Sequence, residues 1–150
     1  MLEAINALKS NYILIAGALS WASAQIIKTI LNFVLTKNFS AERLIGAGGM
    51  PSAHSAFVCA LVVSTGRQCG LAAPEFALAF ALAAVVIYDA MGVRRAAGEQ
   101  AKTINMITDW MFKNLEEDDI IVSQLKELLG HTPLEVMAGA TLGIIIALVL

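Results

Sequence analysis

The sequence predicts an all-helical integral membrane protein of about four transmembrane helices and two amphipathic interfacial helices. Apolar residues make up 58% of the chain and charged residues only 15%, against roughly 25% charged in an ordinary soluble domain. The mean hydropathy is +0.73. The 150 residues suit a single domain. With a net charge of −2, the chain offers no basic surface for nucleic acid.

The first apolar segment covers residues 12–35, enough for a helix to cross roughly 30 Å of hydrocarbon. Its polar exceptions, Gln25 and Lys28, are three residues apart and share one helical face. Lys28 either snorkels to the membrane interface or faces a polar interior. A signal peptide is an alternative for residues 12–24, weakened by Glu3 and by the apolar residues that follow.

The second apolar segment, residues 51–65, begins with the residues of a candidate anion site. Gly48 and Gly49 allow the backbone to approach a ligand closely, and Pro51 suits the first turn of a helix. Ser52 can donate a hydroxyl hydrogen bond, and His54 can give or take a proton. Unpaired N–H groups at a helix start favour a phosphate-like group. The alternative is a glycine turn with a serine cap before a buried helix.

The third apolar segment, residues 74–93, is followed by a stretch of different character. Arg94 and Arg95 come directly after it, and residues 96–129 then repeat apolar side chains at intervals of three and four. This pattern predicts two amphipathic helices, either at the membrane interface or capping the bundle. The acidic residues 116–119 between them indicate a solvated link in preference to a metal site.

The last apolar helix, residues 132–150, begins next to His131. Glu135 follows four residues later, on the same helical face. A carboxylate at this spacing can hold one imidazole nitrogen and leave the other free to attack. The alternative is a capping histidine with a first-turn acid that complements the helix dipole.

Four spans in chain order place these polar groups at one end of the bundle. The second span starts there, the third ends there and the fourth starts there, which brings together Ser52, His54, Arg94, Arg95, His131 and Glu135, with Lys28 near the same end. Most Lys and Arg residues also fall on this side, so the positive-inside rule predicts that the site faces the cytoplasm.

Two of these stretches together resemble a known enzyme superfamily. The sequence from His131 to Gly143 is similar to the last motif of the type 2 phosphatidic acid phosphatase superfamily, in which an acid follows the histidine by four residues. Residues 50–57, Met-Pro-Ser-Ala-His-Ser-Ala-Phe, resemble its Pro-Ser-Gly-His motif. Together with residues 89–101, they resemble a small divergent branch related to acid phosphatases and vanadium-dependent haloperoxidases.

The resemblance implies a phosphatase that acts on a lipid phosphate. His131 would be the nucleophile, Glu135 would orient it, and His54 would protonate the leaving alcohol. A phosphate-binding set would comprise Ser52, Gly49, Lys28 and one of the two arginines, Arg94 or Arg95. No metal and no other cofactor is implied.

Departures from the superfamily pattern keep a second function open. Glu135 replaces an aspartate, Ala53 replaces a glycine, and no arginine precedes His131 by six residues. The alternative is therefore a non-catalytic membrane protein that binds an anionic lipid headgroup or assembles with a partner. Because so short a chain leaves little room for a lipid-sized pocket, we expect a homodimer.

Overall fold

A computed structural model of the protein describes residues 2–37, 48–112, 125 and 130–150. The described residues form helices with no strand, so the predicted fold class, all-α, is confirmed. The six helices are α1 (Leu2–Lys9), α2 (Tyr12–Thr36), α3 (Ala53–Cys69), α4 (Pro74–Met91), α5 (Val93–Phe112) and α6 (Pro133–Val149).

Helix α3 differs at both ends from the segment that the sequence predicts. Pro51 lies before the helix and not in its first turn, because the Oγ atom of Ser52 caps the helix by accepting a hydrogen bond from the N–H of Ser55 at 3.3 Å. At the other end, the helix continues through Gly66 and ends at Cys69. The short helix α1 was not foreseen from the sequence.

Helix α3 lies at the centre of the bundle and packs against α2, α4 and α6. Its contact with α6 is a backbone contact: a Cβ added to Gly139 would lie 2.2 Å from the carbonyl oxygen of Ser52, and one added to Gly143 would lie 2.1 Å from that of Ala56. Glycines four residues apart allow two helices to approach this closely. The pairing sets the start of α3 beside the start of α6.

Small residues also join α2 to α3, where Ala24 packs with Ala53 and Ala56.

At the opposite end of the bundle, hydrogen bonds among polar groups connect α2, α3 and α6. Nη1 of Arg67 donates to the hydroxyl of Tyr12 at 2.7 Å and to the carbonyl oxygen of Ala147, and the Tyr12 hydroxyl donates to the same carbonyl at 2.8 Å. The arginine thereby satisfies a carbonyl near the end of α6.

Among the residues that the structure describes, two helical stretches are long and apolar enough to cross a membrane. They are α2, with 25 residues, and the helical run Pro74–Met111, which contains α4 and nearly all of α5. The other two predicted spans correspond to α3 and α6, which have 17 residues each. Large apolar side chains cover the outer surface of α4, including Leu78, Phe80, Val85 and Tyr88. Such a surface suits lipid contact.

The amphipathic helix expected after the third apolar segment is α5. Its Met106, Ile107 and Trp110 are exposed, which favours a position at the membrane interface over one capping the bundle. Asn105 is buried, and its side chain bonds both backbone groups of Leu125 at 2.9 and 3.0 Å. Apart from Leu125, the second predicted amphipathic helix lies outside the described residues, as do residues 116–119 and the loop with Arg43.

Candidate active site

The backbone of His131 is held by two neighbouring helices. Its N–H donates to the carbonyl oxygen of Ala90, in the last turn of α4, at 3.1 Å, where helix ends leave carbonyls without an intrahelical partner. The preceding residue, Gly130, touches α5: an added Cβ would lie 2.3 Å from the Cα of Arg95. These contacts fix the position of His131 at the junction of α4, α5 and α6.

The imidazole of His131 is buried and oriented by Glu135. Nδ1 lies 3.1 Å from Oε2 of Glu135, and the side chains are 5% and 22% exposed. The same carboxylate oxygen accepts the N–H of Thr132 at 3.0 Å, while Oγ1 of Thr132 accepts the N–H of Glu135 at 3.4 Å, which completes a capping box. With Nδ1 donating to a carboxylate, Nε2 is the nitrogen left with a lone pair.

A cavity of about 300 Å³ opens beside this histidine, lined by Arg95, Gly98, Glu99, Lys102, Gly130, His131 and Thr132. Arg95 and Lys102 supply positive charge on one wall. Nε of Arg95 lies 3.9 Å from Oε1 of Glu99, and both side chains are largely exposed. A loose pair of this kind leaves the guanidinium able to turn toward an anion. The cavity is therefore lined by two cations, one carboxylate and His131, a set compatible with an anion.

His54 lies at the start of α3, exposed on the surface, and the positive charges of Arg94 and Lys28 act on its imidazole. Nε of Arg94 is paired with Oδ2 of Asp89. The structure thus divides the two arginines: Arg95 lines the cavity at His131, and Arg94 lies on the side of His54 with its charge partly balanced. Within the described part of the chain, no group of His, Cys, Asp and Glu side chains is placed to hold a metal ion.

Ser52 joins α3 to α6 through its backbone. Its N–H donates to the carbonyl oxygen of Glu135 at 3.0 Å, so the starts of the two helices are held together. The side chain of Ser52 has no exposed surface, and its Oγ accepts hydrogen bonds from Ser55. The serine cap considered as the alternative is present, and the hydroxyl is directed into the protein.

Lys28 is buried at 4% exposure, and its side chain passes Gly49: a Cβ added to the glycine would lie 3.5 Å from Cγ of the lysine. Gly49 has a φ of +81°, a conformation that few other residues adopt. Gln25, one turn away, is also buried, and its Oε1 has no hydrogen-bond partner. Polar groups buried in an apolar bundle are costly, which makes this face of α2 a candidate wall of the site.

Three polar residues of the cavity wall were not predicted from the sequence: Glu99, Lys102 and Thr132. Their spacing in the sequence could have indicated them, because Arg95 and Lys102 are seven residues apart and so lie on one face of a helix. That face of α5 belongs to the site because Gly130, the residue before His131, packs against Arg95.

The whole chain can be compared with known proteins. A family model described as the divergent PAP2 family matches residues 9–146. The uncharacterized membrane protein YuiD of Bacillus subtilis (strain 168) is 38% identical over 151 residues, which cover 95% of this chain and 96% of that protein. No solved structure matches the chain significantly. The resemblance seen in the sequence is confirmed: this membrane protein belongs to the divergent PAP2 family.

Proposed function

We propose that this protein is a membrane lipid-phosphate phosphatase that works through a phospho-histidine on His131. The observation that carries the proposal is the position of this histidine: its imidazole is oriented by Glu135 and lines a cavity whose other wall carries Arg95 and Lys102. A neutral imidazole held in one tautomer is a competent nucleophile, and cations close to a transferring phosphoryl group stabilise its charge.

The reaction has two steps. Nε2 of His131 attacks phosphorus while the bond from phosphorus to the alkoxide oxygen breaks, and the His54 imidazolium gives its proton to that oxygen. Water then attacks phosphorus, His54 accepts a proton from this water, and the bond between phosphorus and Nε2 breaks. The products are the alcohol and inorganic phosphate, and both histidines return to their starting states.

The other residues of the site bind the phosphate or support the two histidines. Arg95 and Lys102 bind the phosphate oxygens, and Lys28 adds a positive charge from the side of Gly49. Arg94 acts at the leaving-group side, near His54. Ser52 contributes through its backbone and its cap on α3, since its hydroxyl is buried.

A second candidate function is non-catalytic binding of an anionic lipid headgroup. It is favoured by the ion pair between Arg94 and Asp89 and by the burial of Ser52, because both reduce the number of groups offered to a phosphate. In that case the same cavity would hold a headgroup without turnover.

Phosphate release from the detergent-purified protein separates the two functions. The substrates are a panel of glycerolipid and isoprenoid phosphates, and His131→Asn is the control, with helical content checked by circular dichroism. We expect release by the wild type and a loss of about 10³-fold in the variant. Binding of lipid phosphate without release from any substrate would establish the second function.

Trapping tests the intermediate directly. After brief incubation with a ³²P-labelled lipid phosphate, acid-labile label should remain on His54→Ala, because this variant lacks the group that activates water for the second step. His131→Asn should carry none. Label that persists in His131→Asn would exclude this residue as the nucleophile.

The proposal also covers the membrane orientation of the site and the oligomeric state of the protein. We place the site on the cytoplasmic face, in line with the positive-inside rule, and we expect a homodimer. Native mass spectrometry of the protein released from detergent measures the second expectation.

A further inference from the structure

A second cavity has His54 in its wall. It is an apolar groove of about 490 Å³ between α2, α3 and α4, lined by Ala18, Trp21, His54, Phe57, Val58, Leu82 and Val86. His54 is the one ionisable side chain among these lining residues. Trp21 and Leu82 are 40% and 49% exposed, so the groove opens sideways, on the outer surface formed by α2 and α4.

The groove and the anion cavity are related through His54. The imidazole forms part of the groove wall, and the hydrogen bond from the N–H of Ser52 to the carbonyl oxygen of Glu135 at 3.0 Å sets the start of α3, which carries His54, beside the start of α6, which His131 precedes. An amphiphile with its charged group near His131 would therefore have its apolar part beside His54. In the proposed mechanism, His54 protonates the leaving oxygen. This oxygen joins the phosphate to the rest of the substrate.

We propose that the groove binds the hydrocarbon chain of the substrate, so that a single chain attached to the leaving oxygen runs past His54 and lies between Trp21 and Leu82. This inference rests on the proposed function and adds the location of the chain. An apolar lining favours a chain through desolvation alone.

The dependence of activity on chain length tests the groove. With alkyl monophosphates from butyl to dodecyl, kcat/KM of the wild type should rise with length, because each buried methylene contributes about 0.8 kcal/mol. In Leu82→Trp the indole fills the groove, and the ratio of kcat/KM for dodecyl phosphate to that for butyl phosphate should fall about tenfold, equivalent to roughly two methylenes.

Val85→Trp is the matched control. Val85 lies on the same helix but does not line the groove, and it is 67% exposed. This variant should keep the wild-type ratio. An unchanged ratio in Leu82→Trp, or equal losses in the two variants, would overturn the proposal.

Photolabelling distinguishes a failure of the groove from a failure of the phosphatase. A dodecyl phosphate with a terminal diazirine should label peptides containing Trp21 or Leu82, and excess dodecyl phosphate should compete. Leu82→Trp should reduce this labelling, and Val85→Trp should not. The result is independent of turnover. Labelling spread evenly over the outer surfaces of α2 and α4, without competition, would exclude the groove even in an active enzyme.

Discussion

The Nδ1 atom of His131 lies 3.1 Å from Oε2 of Glu135, and the same carboxylate oxygen accepts the N–H of Thr132. One carboxylate therefore both orients the proposed nucleophile and caps the helix that carries it. A substitution at this position must be chosen so that the two roles separate.

Glu135→Gln separates the capping of α6 from the support of the His131 imidazole. Glutamine retains the capping box, because its amide oxygen can still accept the N–H of Thr132, but it removes the charge that supports the imidazole. We expect kcat to fall about 100-fold or more, with the thermal unfolding temperature nearly unchanged. Steady-state kinetics and a melting curve in detergent measure the two effects. Full activity in this variant would show that the carboxylate serves only as a cap.

The two arginines should differ in their effect on anion binding. Arg95 lines the cavity at His131, whereas Arg94 is paired with Asp89. We expect Arg95→Met to raise the Ki of vanadate about tenfold or more, the equivalent of one lost charged hydrogen bond. Arg94→Met should have a smaller effect on Ki. A larger rise of the vanadate Ki in Arg94→Met than in Arg95→Met would show that the phosphate binds on the side of His54.

The contact between α3 and α6 should tolerate no side chain at its glycines. Gly143→Ala would bring a methyl group to 2.1 Å from the carbonyl oxygen of Ala56, so the helices must separate. We expect a loss of roughly 2 kcal/mol in unfolding free energy. Thr141→Ala, at an exposed position on α6, is the control and should unfold at nearly the wild-type temperature.

Arg67 should stabilise the bundle without contributing to the site. Arg67→Met removes the donor shared by Tyr12 and the carbonyl of Ala147. We expect a loss of about 1–3 kcal/mol in stability and unchanged phosphate release below the unfolding transition. A selective loss of activity in the intact fold would contradict this assignment.

Cysteine labelling can test the orientation. Cys69, at the end of α3, and Gln100, on α5, are both exposed and lie toward opposite ends of the bundle. In intact expressing cells, an impermeant maleimide should label Cys69. It should label Gln100→Cys, made in a background lacking Cys59 and Cys69, only after permeabilisation. Labelling of Gln100→Cys in intact cells would place the site outside.

Much of the fold and part of the site could be predicted from the chain itself. Apolar periodicity and length identify the helices, because burying apolar side chains in hydrocarbon or against another helix needs a particular spacing. The spacing of His131 and Glu135 places their side chains on one face of a helix, since 3.6 residues form each turn. These inferences depend on local geometry, which a single segment already specifies.

Tertiary structure decided how the segments contribute to the site. Only the packing of Gly130 on Arg95 brings Lys102 into the wall of the His131 cavity, and only the depth of Ser52 in the bundle turns its hydroxyl away from a ligand. The division of labour between Arg94 and Arg95 likewise depends on the position of Asp89. The first two follow from contacts between residues distant in sequence, and the third from how the chain turns between α4 and α5; none is specified by the periodicity of a single helix.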